Sequence, residues 1–177
     1  LQRGKKSNTL NKKIKIGFLG RISEEKGLED LIKASFIMIN KNINHSIKIA
    51  GDLKDPRFKK YTNDLLKLKD DNKFINFIGR LEEYEKKDFF DSIDLLVLPS
   101  TNSFEAFGLV QLEAMSFGIP VIASDLHGVR IPILYTGNGL LYKKGNVGDL
   151  VKCIISFKKW LKNNSKSNII NSYQKHF

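Results

Sequence analysis

Between residues 14 and 161, runs of consecutive apolar residues take turns with stretches whose apolar residues recur every three or four positions. The run Ile14-Lys15-Ile16-Gly17-Phe18-Leu19 predicts a strand ended by Gly20. Residues 46–50, 74–78, 95–98 and 121–123 predict four more, and 139–142 a short sixth. Between them Leu28, Leu31, Ile32, Phe36 and Ile39 keep a helical period, and residues 58–69, 84–92, 107–117 and 147–161 predict further helices. Strands that are apolar throughout, separated by helices, imply a parallel sheet covered on both faces. The expected fold is therefore α/β: a three-layer Rossmann-like domain with a central parallel sheet of about six strands. Ligands of such sheets bind at the carboxyl ends of the strands. Gly20-Arg21, Gly51-Asp52, Gly79-Arg80 and Pro99-Ser100 all fall at that end. Residues 1–13 read as a polar, basic linker, 14–162 as the folded domain, and 163–177 as a tail with Ile169, Ile170 and Tyr173 on a last helix.

The helix expected over 107–117 is apolar on nearly every side, which marks it as buried. Gln111 and Glu113 interrupt it about 200° apart around the axis, so they cannot share one solvated stripe. At least one must be buried or face a cleft. Glu105 stands just ahead of the helix. Ala106, Phe107, Gly108 and Leu109 would offer their amides forward, and Gly108 would let an anion approach the backbone closely. An ordinary structural reading stays open beside this one, with Glu105 complementing the helix dipole and Glu113 pairing with a neighbouring lysine.

Composition changes the picture little: 41% hydrophobic and 28% charged residues are those of a globular protein, and no apolar run approaches the length of a membrane span. No signal-peptide pattern opens the chain, and a cytoplasmic address is expected. The single Cys153 excludes an internal disulfide and any zinc site built on several cysteines; it reads as a small buried hydrophobe. The net charge of +11 makes anionic partners plausible without choosing among nucleic acid, membrane surface and nucleotide. Its lysines are dispersed in small pairs such as Lys59-Lys60 and Lys158-Lys159, the pattern of a solvated surface.

The turn 20–27 is bracketed by glycines and carries Arg21 and Lys26. Neither a Gly-x-Gly-x-x-Gly fingerprint nor a Walker pattern is present, which counts against dinucleotide oxidoreductases and P-loop enzymes. An arginine that forks onto phosphate oxygens, a lysine acting as a point charge and the amides near residues 106–109 describe a diphosphate clamp. Surface pairing of the two cations with Glu24 and Glu25 is the alternative.

In this order Gly20-Arg21 with Lys26-Gly27, Ile49-Ala50-Gly51-Asp52, Ile78-Gly79, Leu98-Pro99-Ser100, Glu105-Ala106-Phe107-Gly108 with Glu113-Ala114-Met115, and Gly118-Ile119-Pro120-Val121-Ile122-Ala123 strongly resemble the family 4 (group 1) retaining glycosyltransferases. In that family these motifs form the C-terminal, donor-binding half of a two-domain GT-B fold. The resemblance implies that Arg21 and Lys26 hold the donor diphosphate beside Gly20, with Ala106, Phe107, Gly108 and Leu109 adding backbone contacts. It implies further that Glu105 faces the transferred sugar, that Glu113 takes the ribose hydroxyls, and that Arg80 and Leu81 lie against the nucleobase. No metal and no separate cofactor are implied, since the nucleotide-diphosphate sugar is a substrate.

The chain departs from the pattern after the fifth strand, where His127-Gly128-Val129-Arg130-Ile131-Pro132 holds no carboxylate. The acceptor-binding half of the family is not represented, which implies a fragment inactive alone. The expected role is donor binding in a hexosyltransferase of envelope polysaccharide or lipopolysaccharide synthesis, with GDP-mannose the favoured donor and UDP-sugars close behind. Its acceptor would be a glycan or lipid-linked sugar, and its place the inner face of the cell membrane, with peripheral contact to anionic lipid and none to nucleic acid. A phosphorylase, a sugar-nucleotide epimerase or a basic polyanion-binding module are the rival readings.

Overall fold

The structure, a computed structural model, describes residues 13–102 and 107–177. Its strands are β1 (Ile14–Leu19), β2 (His45–Ala50), β3 (Ile75–Gly79), β4 (Leu95–Leu98), β5 (Val121–Ser124) and β6 (Gly139–Tyr142). The α-helices among the described residues are α1 (Leu28–Asn40), α2 (Lys59–Lys69), α3 (Lys86–Asp91), α4 (Val110–Ser116), α5 (Ile131–Thr136), α6 (Val147–Lys162) and α7 (Lys166–His176). The six strands form one parallel sheet in the order β3-β2-β1-β4-β5-β6. The order reverses between β1 and β4, and the loops that leave these two strands in opposite directions open a crevice at their carboxyl ends.

Two apolar clusters cover the faces. Ile16, Phe18, Ile47, Ile49 and Val97 point to the first, with α1, α2 and α6, while Leu96, Leu98, Val121 and Ala123 point to the second, with α3, α4, α5 and α7. All four residues of β4 and of β5 are buried, which is why these central strands read as unbroken apolar runs. The flanking strands depart from that expectation. β2 alternates Ile47 and Ile49 with the half-buried Ser46 and Lys48, and β3 at the edge exposes Asn76.

Two expectations about the helix after β4 change, and the last helix is found docked on the domain. The helix predicted from Phe107 starts at Val110, because Gly108 has a φ of +72°, outside the right-handed helical region. It is buried on one face only, through Gln111, Ala114 and Met115, with Leu112, Glu113 and Ser116 half-buried. The tail after residue 163 is a docked helix: Ile169 of α7 is fully buried, its carbonyl accepts the Asn138 side-chain amide at 2.8 Å, and the Ser172 hydroxyl donates to the Thr136 carbonyl at 2.6 Å. No described helix is long and apolar enough to cross a membrane.

Candidate functional site

The loop after β1 and the loop after β4 are stitched together across the crevice. Gly20 extends the sheet by donating its amide to the Ala50 carbonyl at 3.0 Å. Residues 24–26 then make a single 3-10 turn that Gly27 closes in the left-handed region, at φ +62°. A Cβ on Gly27 would stand 2.1 Å from the Pro99 carbonyl oxygen, so only glycine permits this contact between the two loops. The Thr101 amide donates to the Glu25 carbonyl at 2.9 Å and the Thr101 hydroxyl to the Glu24 carbonyl at 3.3 Å. The Ser124 hydroxyl fixes the Ser100 carbonyl at 2.6 Å, tying the same loop to β5.

This stitching presents Arg21 and Lys26 at the crevice. Arg21 is exposed, its guanidinium carbon 6.0 Å from the centroid of the Phe58 ring, and Lys26 is half-buried. The carboxyl of Glu25 lies below its ordinary pKa: burial opposes ionisation, but hydrogen bonds within the loop and the charges of Arg21 and Lys26 outweigh it. The local field at this turn is therefore partly neutralised by its own acid.

Across the crevice, Gly108 is buried, and a Cβ there would meet the Leu98 side chain at 2.6 Å and Gln111 Nε2 at 2.9 Å. Leu109 beside it is 68% exposed. Gln111 answers the question raised by its polarity. Its side-chain amide is fully buried and donates to the carbonyls of Phe107 and Val129, both at 2.9 Å, so one side chain clamps the loops after β4 and β5. Sequence reasoning placed Gln111 on the buried helix but gave it no role.

Glu113 lies in front of the third loop, not in the core. Its Oε2 is 3.0 Å from Lys86 Nζ, and its side chain is 40% exposed. Lys86 also holds Glu83 at 2.8 Å, and these two carboxylates, Glu83 foremost, raise its pKa. The turn carrying Lys86 is fixed by Glu82 and Glu85: the Glu82 amide donates to the Glu85 carboxylate at 2.8 Å as half of a capping box. The same loop begins with Gly79, φ +83°, whose carbonyl accepts the Gly51 amide at 2.8 Å, and continues with exposed Arg80 and half-buried Leu81, which packs against the second core cluster. Glu113 and the pair Arg80-Leu81 thus stand on adjoining elements joined by Lys86. The lysine partner left open for Glu113 by the sequence is the one observed. It comes from a different helix, which no spacing along α4 could reveal.

Glu105 and Ala106 lie outside the described residues. Among the described residues no cluster of three His, Cys, Asp or Glu side chains is arranged to hold a metal ion. His127 is exposed, and Arg130 pairs with Asp125 at 3.1 Å.

This fold is that of the C-terminal half of a GT-B glycosyltransferase, and residues 2–177 match the family described as Glycosyl transferases group 1. The chain belongs to that family. It is 31% identical over 163 residues to an uncharacterized glycosyltransferase of Methanocaldococcus jannaschii, covering 88% of this chain and 40% of the relative. It is 26% identical over 137 residues to the capsular polysaccharide biosynthesis glycosyltransferase CapM of Staphylococcus aureus, covering 77% and 34%. The C-terminal domain of a group 1 glycosyl transferase from Francisella tularensis superposes with a TM-score of 0.71 at 26% identity, covering 92% of this chain and 85% of that one. Anabaena HepE, solved in complex with UDP, superposes with a TM-score of 0.79 at 23% identity over 95% of this chain and 45% of its own. The chain spans about two fifths of the length of the curated relatives it matches.

Proposed function

We propose that this chain binds the nucleotide-diphosphate sugar donor of a retaining glycosyltransferase, which passes the sugar to a glycan or lipid-linked acceptor in the synthesis of a cell-envelope polysaccharide. The observation that carries the reading is the crevice at the sheet's reversal point, with Arg21 and Lys26 on a loop locked to the loop of Gly108, and Glu113 beside the loop of Arg80 and Leu81. Arg21 and Lys26 would take the diphosphate. Gly20, Phe107, Gly108 and Leu109 would line its path, with Ala106 ahead of them. Glu113 would accept the ribose hydroxyls, and Arg80 with Leu81 would border the base. Glu105 would face the sugar. Cations already in place when the sugar–phosphate bond breaks stabilise the charge that builds on the departing diphosphate. The transfer itself would need the acceptor half, so the 177-residue chain alone is expected to bind donor without turning it over.

The envelope role draws on the likeness to CapM, and the nucleotide on the likeness to HepE with its UDP. GDP-mannose and uridine-diphosphate sugars are the two donors to separate. The test is calorimetry or thermal shift with UDP-, GDP- and ADP-sugars, repeated on Arg21→Ala and Lys26→Ala. One nucleotide class should stabilise the chain. Each substitution should weaken diphosphate binding about tenfold or more, since a charge-assisted hydrogen bond contributes roughly 1.5–3 kcal/mol, and should leave the bare nucleoside nearly unaffected. Absence of any nucleotide effect, or equal losses for nucleoside and diphosphate, would overturn the assignment.

A further inference from the structure

Among the described residues, the side chain that bonds the Glu113 carboxylate is Lys86, and it does so from a different helix. Its ammonium stands between two carboxylates, 3.0 Å from Glu113 Oε2 and 2.8 Å from Glu83 Oε2. The backbone beneath it is fixed as well. Lys86 is the first residue of α3, and the capping box of Glu82 and Glu85 closes the turn just before it, with the Glu85 amide donating to the Glu82 carbonyl at 3.0 Å. Only the lysine side chain is left to order, and the two acids order it.

This contact is not needed to hold α3 against α4. Phe90 of α3 is fully buried and stacks on Phe117, the residue that ends α4, with ring centroids 5.0 Å apart. An ion pair at the partly exposed rim of such an apolar contact adds little stability, because water screens it. What it does fix is the direction of the Glu113 carboxylate. A glutamate side chain free in water gives up rotational freedom when it meets a ligand, and that loss weakens binding. With Oε2 held by the lysine, the freedom is lost before any ligand arrives. Oε1 receives no hydrogen bond from a described residue, and Oε2, which can accept two, keeps one site open.

We infer that Lys86 is a positioning residue for nucleoside recognition, one that sets the Glu113 carboxylate toward the two ribose hydroxyls. The inference rests on the reading that Glu113 receives the ribose, and it adds a residue that acts only through Glu113. A purely structural Lys86 would change the melting temperature and leave the selectivity between ribo- and 2′-deoxyribonucleotides where it was.

Calorimetric titration of the chain with the ribo- and 2′-deoxyribonucleoside diphosphates of uracil and guanine tests it. Lys86→Met keeps the aliphatic stem and removes the charge. It should reduce the ribo-over-deoxyribo preference about threefold, the size expected from a partly screened ion pair, and leave the preference for diphosphate over nucleoside unchanged. Lys86→Arg, which keeps a cation within reach of Glu113, should retain the ribose preference. Lys87→Met removes the same charge one position on, from a lysine that pairs with Asp91 at 2.6 Å, and should also leave it intact. With Glu113→Gln already in place, Lys86→Met should have no further effect on it, since nothing remains for the lysine to act on. Lys86→Gln gives a second uncharged variant should the methionine disturb folding. Equal shifts from Lys86→Met and Lys87→Met, a Lys86→Met effect undiminished by Glu113→Gln, or a preference lost with Glu113→Gln and kept with Lys86→Met would overturn the inference and leave the ribose reading standing. A preference that Glu113→Gln does not move would overturn both.

Discussion

Glu113 shows how a single side chain can be read correctly in kind and wrongly in setting. On a helix thought buried on every side it would need a partner to offset desolvation. At 40% exposure it keeps contact with water, and its partner Lys86 retains Glu83 when Glu113 is neutralised. Glu113→Gln should therefore cost about 1 kcal/mol of stability or less, as for a solvent-screened ion pair, and not the several kcal/mol of a buried charge left alone. If Glu113 receives the ribose, the same substitution should erase the preference for ribo- over 2′-deoxyribonucleoside diphosphates, because the amide offers one acceptor oxygen where the carboxylate offers two. Melting temperatures and paired titrations on both proteins decide it. A large melting drop with ribose preference intact would make Glu113 purely structural. Gln111 is the opposite case. Its polarity within an apolar helix was visible in the sequence, but the carbonyl of Val129 that it bonds is 18 positions away and comes within reach only through the fold.

At the level of elements, the loops matter more than the helices that follow them. α4 has seven residues and begins after Gly108, so the amides in front of it belong to a turn shaped by that glycine. The loop after β1 is held by Gly27 against the Pro99 carbonyl, and through Thr101 against the loop after β4. Gly27→Ala should cost about 1–2 kcal/mol for the left-handed φ alone, and more because the overlapping atom is a backbone oxygen that cannot move aside as a side chain could. The unstitched loop should also lose its grip on diphosphate more than on nucleoside. Denaturant unfolding together with the nucleotide titrations measures both effects; unchanged diphosphate affinity in a destabilised protein would separate Gly27 from the site.

For the whole molecule, α7 closes the second face of the sheet over α4 and α5, so the domain extends through its last helix. A rigid layer of this kind keeps Arg21, Lys26 and the loop of Gly108 in fixed relation, and on the proposed function that pre-set charge takes over work that a metal ion does elsewhere. On that proposal, an enzyme that joins this domain to an acceptor-binding half should keep its rate in the presence of a chelator, and the retaining class proposed for it requires a product of unchanged anomeric configuration. Nuclear magnetic resonance of the product and a rate measured with and without chelator test this; an inverted product, or activity abolished by the chelator and restored by added metal, would contradict it.

The amino-acid sequence by itself determined the alternation of strand and helix, the parallel sheet and the turns at its functional edge. Each of these depends on short-range periodicity and on glycines whose conformations are local. The boundary of α4 escaped because an apolar run does not report a single left-handed residue within it. The docking of α7 escaped because the groups that bury Ile169 and bond its carbonyl come from distant segments. Tertiary structure alone decided that β1 lies beside β4, that Lys86 faces Glu113, and that Gln111 reaches the Val129 carbonyl. Such pairings join residues separated along the chain by more than any periodicity spans, and packing of the two sheet faces selects them.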